Sequence, residues 1–257
     1  MSIHVISDTA TLTGRSLKHI LRSPDTIITT ALMPVALLLL FVFVLGGAVD
    51  LGGAAGEGSY VDYLLPGVLL ITIASGIAYT AFRLFLDVQG GIVERLQSMP
   101  NARSSVLWAH VLTSIAANLL SLALVVGVAA LIGFRSPASV LDWLAVTGIL
   151  VLFTLALTWL AVIAGLTAKS VDGASAFSYP LLLLPFLSSA FVPTASMPGP
   201  VRWFAENQPV TAIVDSLRAL LAGRPVGGEL WVALAWCVGI LLVTWAAAVV
   251  VFRRRLR

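Results

Sequence analysis

The chain is poor in charge, cysteine and histidine. Only 11% of its 257 residues are Asp, Glu, Lys or Arg, against about 25% in a soluble domain. Hydrophobic residues make up 59%, and the mean hydropathy is +1.02. An ordinary soluble fold is excluded, and an integral membrane protein is indicated. Cys237 is the single cysteine and lies in an apolar run, so no disulfide can form within the chain. His4, His19 and His110 are scattered, and nothing has the spacing of a metal-ligand cluster. The net charge of +3 gives no patch for nucleic acid, because the bases sit at the edges of apolar runs. There is no GxxxxGK[ST], so this chain offers ATP no P-loop. HExxH, GxSxG and paired carboxylates within an apolar run are also missing, which argues against intramembrane hydrolysis. The middles of the apolar runs hold no Asp, Glu, Lys, Arg or His. An ionisable group there costs about 2.5–3.5 kcal/mol and usually marks a proton or ion path. Its absence counts against a proton-coupled pump, while sodium coupling through carbonyls and hydroxyls stays open. The first 25 residues are polar and basic and precede a long apolar run, an order that argues against a cleaved signal peptide.

What is present is a series of uncharged runs, each near the roughly 20 residues that a hydrocarbon core requires. They predict an all-α membrane protein forming one domain over residues 1–257. Its six spans fall at about 24–49, 63–86, 106–134, 143–168, 173–192 and 230–252. Ser23, Pro24 and Asp25 open the first with an N-cap, a proline and an acid. Pro34 predicts a kink within it. Residues 1–23 are expected to hold a helix in the interface, with Arg15, Lys18, His19 and Arg22 on one face and Ile6, Ala10, Leu17, Ile20 and Leu21 on the other. A plain basic anchor for the first span predicts the same residues.

The fifth run is irregular. Pro180, Pro185, Pro193, Pro198 and Pro200 cannot all sit in one straight helix. A kinked span to about Phe191, then a segment that turns back, is expected. Residues 201–206 form a short helix, and Asn207 or Gln208 caps another with Pro209 at its first position. There Val210, Ile213, Val214, Leu217, Leu220 and Leu221 recur at helical spacing, with Asp215 and Arg218 off that face and able to pair. Gly223 and Pro225 end it. This stretch is too polar to cross and too apolar for a free loop, so it should lie in, or dip into, the outer leaflet.

The segment 90–100 is a polar interruption between two apolar runs. Ile92, Val93, Leu96 and Met99 share one face of a short helix, and Glu94 and Arg95 have no intrahelical partner. Such a helix is shaped as a handle for another protein. A solvated loop on the lipid surface fits the pattern equally. With both termini inside, eleven Lys and Arg fall inside and four outside, which makes the segment cytoplasmic and the broken fifth region external. Tyr79, Phe82, Tyr179 and Phe186 could face an amphipathic solute, although each also reads as an ordinary packing or lipid-facing aromatic. Ser188 and Ser189 have no nearby base and read as packing residues.

Two stretches carry a resemblance. Gly91-Ile-Val-Glu-Arg-Leu-Gln-Ser-Met-Pro100 is similar to the cytoplasmic motif of ABC-2 type transporter permeases, roughly G-x-x-E-R-L-x-x-x-P. Ser189-Ala-Phe-Val-Pro193, Met197-Pro198, Gln208-Pro-Val-Thr211 and Asp215-Ser-Leu-Arg218 resemble that family's signature after the fifth span. The Gln-Pro-Val-Thr form is most like the daunorubicin/doxorubicin-resistance branch of drug exporters. The resemblance implies two permease chains, identical or different, each docked on a cytoplasmic ABC ATPase subunit that carries the ATP and Mg. It makes Gly91, Glu94, Arg95, Leu96 and Pro100 the coupling site. Pro193, Pro198, Gln208, Pro209, Thr211 and Arg218 become part of an outer re-entrant gate. It also implies export across a prokaryotic plasma membrane, both termini in the cytoplasm, with no cofactor in this chain. A scaffold subunit without a transport path, or a sodium-coupled carrier, would show the same spans. A tag inserted between Gln97 and Asn101 is expected to be reached only after the membrane of intact cells is opened; labelling from outside would overturn this orientation.

Overall fold

The computed structural model describes residues 24–46, 59–91 and 103–255. Several expectations lie outside those residues. These are the interfacial helix of 1–23, the short helix carrying Glu94, Arg95, Leu96 and Pro100, and the end of the terminal arginine run at Arg257. The described residues are helical, joined by turns, with no strand among them. In order they form α1 (Pro24–Leu39), α2 (Tyr60–Gln89), α3 (Arg103–Leu131), α4 (Val140–Thr167), α5 (Val171–Ala176), α6 (Ser178–Leu183), α7 (Gly199–Asn207), α8 (Pro209–Leu221) and α9 (Glu229–Arg255).

Four helices are long and apolar enough to cross a membrane: Tyr60–Gln89, His110–Leu131, Val140–Thr167 and Glu229–Phe252. The first and fifth runs instead give the shorter apolar helices Ala31–Val44 and Val171–Leu187. In the first, α-helix runs through Pro34 and passes without a break into a six-residue π-helix, Leu40–Leu45. The change of backbone geometry thus falls beyond the proline, where the sequence carries no helix breaker. The fifth run is not one kinked helix to Phe191. It divides at Phe177, tightens to a 3-10 turn at Leu184–Leu187 around Pro185, and stops. Ser188 takes extended backbone (φ −129°, ψ −176°), and its hydroxyl donates to the Pro185 carbonyl at 2.6 Å. Proline supplies no N–H for a helical ladder, so each piece ends within about two turns.

α2 is the central post. Leu64, Leu65, Leu69, Leu70, Ile71, Ile73 and Ile77 are fully buried, and α1, α3, α4 and α5 all pack on it. Its most apolar stretch is 78% buried, against 17% for that of α9, which leaves α9 as the peripheral helix. Asp87 near the end of α2 lies 3.3 Å from His110 near the start of α3, so the two helices run antiparallel. The turn 132–139 returns the chain into α4, and Ser136 donates to the Leu221 carbonyl at 2.6 Å, which brings the end of α8 onto that turn. One end of the bundle therefore carries α7, α8 and the starts of α2, α4 and α9. The other carries Gly91, the start of α3 and the ends of α4 and α9.

Lipid is as apolar as leucine, so close packing and polar contacts must hold such a bundle together. Midway along it the Thr80 hydroxyl lies 2.8 Å from that of Ser114, which lies 3.2 Å from that of Thr158. This chain of hydroxyls ties α2, α3 and α4. Thr80 and Thr158 also reach carbonyls one turn back in their own helices, at 3.0 and 2.7 Å. Beside them Asn118 donates to the Ser114 carbonyl at 2.9 Å. Its amide lies flat on Gly76, where an added Cβ would fall 2.3 Å from Oδ1. Gly76→Ala is therefore expected to cost about 1–3 kcal/mol through overpacking, read as a lower unfolding temperature in detergent. Adding Asn118→Ala should recover most of the loss.

Candidate functional site

The site is built where the fifth run breaks. After the Leu184–Leu187 turn the chain reverses through Ser188–Val192, and Pro193 and Pro198 open the next two helical pieces with extended backbone. The Pro198 carbonyl accepts the Arg202 N–H at 2.8 Å, and Arg202 pairs with Glu206 at 2.7 Å within α7. Pro209 stands at the start of α8 as expected, and the periodic face of Val210, Ile213, Val214, Leu217, Leu220 and Leu221 is buried. Gly223 (φ +60°) closes the helix: its N–H bonds to Leu220 and that of Arg224 to Ala219, the paired closure that a left-handed residue permits. Gln208 departs from expectation. Its backbone is that of an N-cap (φ −96°, ψ 155°), but its side chain caps nothing. It is buried, and Nε2 donates to the carbonyls of Leu184 and Leu187. Those acceptors are exposed by the break in the helix, and Gln208 satisfies them.

Asp215 and Arg218 pair as the i, i+3 spacing suggests, with Arg218 Nη1 2.8 Å from Asp215 Oδ1. The pair does not face outward. Arg218 turns against α2, where Nη2 donates to the carbonyls of Ser189 (2.8 Å) and Tyr63 (3.3 Å). The guanidinium carbon sits 3.9 Å from the centre of the Tyr63 ring, a cation–π contact worth about 0.5–2 kcal/mol depending on solvation. Tyr63 donates its hydroxyl to the Ser189 carbonyl at 3.0 Å, and Ser189 Oγ donates to Asp215 Oδ1 at 2.7 Å. Thr211 completes the group: its hydroxyl accepts the Ser189 N–H at 3.4 Å and donates to the Ala205 carbonyl. Burial pushes the Arg218 pKa below its ordinary value, while the neighbouring Tyr63 and Asp215 pull it back. An arginine in this position stays charged. The arrangement is a staple. It holds the start of α2, the turn after the broken helix, and α8 through one guanidinium and one peptide carbonyl.

The other predicted residues fall in several places. Gly91 (φ +67°) ends α2, its N–H reaching the Val88 carbonyl at 3.2 Å. Tyr79 and Phe82 pack on one another with centroids 6.2 Å apart. Phe186 instead stacks on Phe191 at 4.8 Å, and Phe41 of the π-helical stretch stacks on Phe191 at 4.9 Å. Tyr179 is exposed. Tyr63 was not among the predicted site residues, and Ser189, read from sequence as packing, is the hub of the staple. The sequence holds one signal for Ser189, its place at the head of the Ser-Ala-Phe-Val-Pro stretch. Tyr63 has only its position at the edge of an uncharged run.

These features define a polytopic α-helical membrane protein with a stapled pair of short helices at one end. Residues 7–222 match the family model of the ABC-2 type transporter. The chain belongs to that family. It is 28% identical over 251 residues to a daunorubicin resistance ABC transporter permease protein of Streptomyces coeruleorubidus, covering 96% of this chain and 83% of the relative. It is 24% identical over 252 residues to a probable doxorubicin resistance ABC transporter permease protein of Mycobacterium tuberculosis, covering 97% and 89%. Arg218→Met would leave Asp215 without a counter-charge. Breaking a fully buried pair costs about 3–5 kcal/mol; with Asp215 still 32% exposed, about 2–3 kcal/mol is expected. Thermal unfolding in detergent measures this, and Arg218→Met/Asp215→Leu should be less damaging than Arg218→Met alone.

Proposed function

We propose that this chain is the transmembrane permease subunit of an ATP-driven ABC-2 exporter that moves an amphipathic drug, antibiotic or lipid-like molecule out of the cell. The observation that carries the reading is the family match over residues 7–222, joined to relatives named as permeases of daunorubicin and doxorubicin resistance. ATP and Mg belong on a separate ATPase, since the sequence has no P-loop. Two permease chains each dock on one ATPase copy, and both termini lie in the cytoplasm. The π-helical first run and the broken fifth run complete six passes.

In this reading the segment 91–100 is the coupling element, with Glu94 and Arg95 meeting the ATPase. ATP binding draws two such segments together and tilts α2 and α3, and the motion reaches the stapled end through α2. Tyr63 is on α2 itself, so a tilt of that helix acts directly on the Arg218 bonds. Release of α7 and α8 then opens an exit on the outer side. Phe186 and the aromatic pair Tyr79 and Phe82 offer apolar surface to the solute on the way.

A mild-detergent pull-down from native membrane should bring out an ATPase with vanadate-sensitive turnover. Recovery of a partner without ATP turnover would favour the scaffold reading. With that partner, Glu94→Arg/Arg95→Glu is expected to insert normally yet lower daunorubicin efflux from cells by about tenfold or more, the effect of losing about 1.4 kcal/mol of coupling. Wild-type efflux from this variant would overturn the coupling role.

A further inference from the structure

Three close contacts between an acidic and a basic side chain join described residues. Arg202–Glu206 and Asp215–Arg218 each lie within one helix, whereas Asp87–His110 joins two. It sits at a particular place. Asp87 is in the last turn of α2, just before Gly91, and His110 is in the second turn of α3. In sequence they flank the segment 91–100, so α2 and α3 are the posts on either side of it. The ring nitrogen Nε2 meets Oδ2 at 3.3 Å, with both side chains largely covered. Behind the pair Leu84 and Val111 are fully buried in a cluster with Trp159, Val162, Leu166 and Ala248. Trp108, two residues before His110, meets Trp159 edge-on at 5.4 Å and 89°.

Apolar contacts of this kind are worth about 0.1–0.2 kcal/mol per atom pair and have no preferred direction. They allow two helices to slide or splay. The Asp87 carboxylate facing the His110 ring at 3.3 Å is instead a polar contact tied to one register of the two helices, and a shift of a fraction of a turn loses it. We propose that Asp87 and His110 are positioning residues for coupling: they clasp the two posts so that a push on the segment between them moves α2 and α3 as one unit. The proposal rests on the coupling reading of 91–100. Without the clasp, the same push would pry the posts apart and be spent at the rim, and little motion would reach Tyr63 at the far end of α2.

The test uses the permease in complex with its ATPase, in lipid vesicles. Cys237, the native thiol, is replaced by alanine, and spin labels are placed at Leu86→Cys and Leu112→Cys, both exposed positions beside the pair. With the clasp intact, the distance between labels should be the same without nucleotide and with ATP trapped by vanadate. With Asp87→Asn or His110→Gln, the trapped state should show a longer and broader distribution. A distance that changes on trapping while the pair is intact, or neutral variants that behave as the parent, would overturn the proposal. If the neutral variants do not assemble, Asp87→Cys/His110→Cys decides. Closing that disulfide should leave permease-dependent ATP turnover unchanged, and its loss on oxidation would show that the posts must separate. The Glu94→Arg/Arg95→Glu variant keeps the two ideas apart. If it responds to nucleotide normally, the coupling reading of 91–100 fails by itself, and the clasp is judged on Asp87→Asn.

Discussion

Arg218 brings a permanent charge into a place that neither lipid nor packed protein would accept unpaired, and one end of the molecule is arranged around it. A guanidinium needs acceptors in fixed directions. Regular helices have few to give, because their carbonyls are already bonded. The broken fifth run supplies them. Its prolines and the Ser188 turn release carbonyls at Leu184, Leu187 and Ser189, and these are taken by Gln208 and Arg218. Irregular backbone inside an apolar bundle is tolerated only where other protein groups complete its hydrogen bonds. The break and the buried arginine are therefore one feature: each would be costly without the other.

The same constraint acts in the middle of the bundle with different residues. There the polar groups are hydroxyls and one amide, which can turn back to their own helix if a neighbour moves. Thr80 and Thr158 hold both an internal and a cross-helix bond, and Thr244 of α9 reaches the Ala156 carbonyl of α4 at 3.0 Å while also bonding to Ile240. Such contacts hold the helices without any charge in the hydrocarbon, and they can be exchanged at small cost. Among the described residues, the contacts between helices that involve a charged side chain lie at the ends, at Tyr63–Arg218 and at Asp87–His110.

Much of this could be read from the sequence because it is local. The apolar period of α8, Pro209 at its start and Gly223 at its end are written in consecutive residues, and the helix runs Pro209–Leu221. The membrane-length helices likewise begin within a few residues of the uncharged runs, and α2 continues past Arg83 to Gln89. The staple was only half legible. Asp215 and Arg218 share a helix, so their spacing reveals the pair, but the Tyr63 and Ser189 partners lie 155 and 29 residues from Arg218. Those bonds depend on where the chain turns, which helical periodicity does not encode. The fifth run misled for the related reason that five prolines forbid a straight helix without saying which of them ends it. Phe186 could be named as an aromatic on that run, but it stacks on Phe191, whose other stacking partner is Phe41 of the π-helical stretch, which nothing in the local sequence marks.

Two of the membrane-length helices begin with the same device. Ser59 with Asp62, and Ser139 with Asp142, are caps in which the acid accepts the serine N–H at 2.7 and 2.8 Å, and at Ser139 the hydroxyl also accepts the Asp142 N–H at 3.2 Å. Each cap is completed within four consecutive residues and requires nothing from the rest of the bundle. α2 and α4 can thus form their first turns as soon as those residues emerge during synthesis, without waiting for a neighbour to pack against. Their starting points in the bilayer are settled early. Later arrivals such as the α7–α8 pair, which needs Tyr63 already in place, have a fixed frame to close upon.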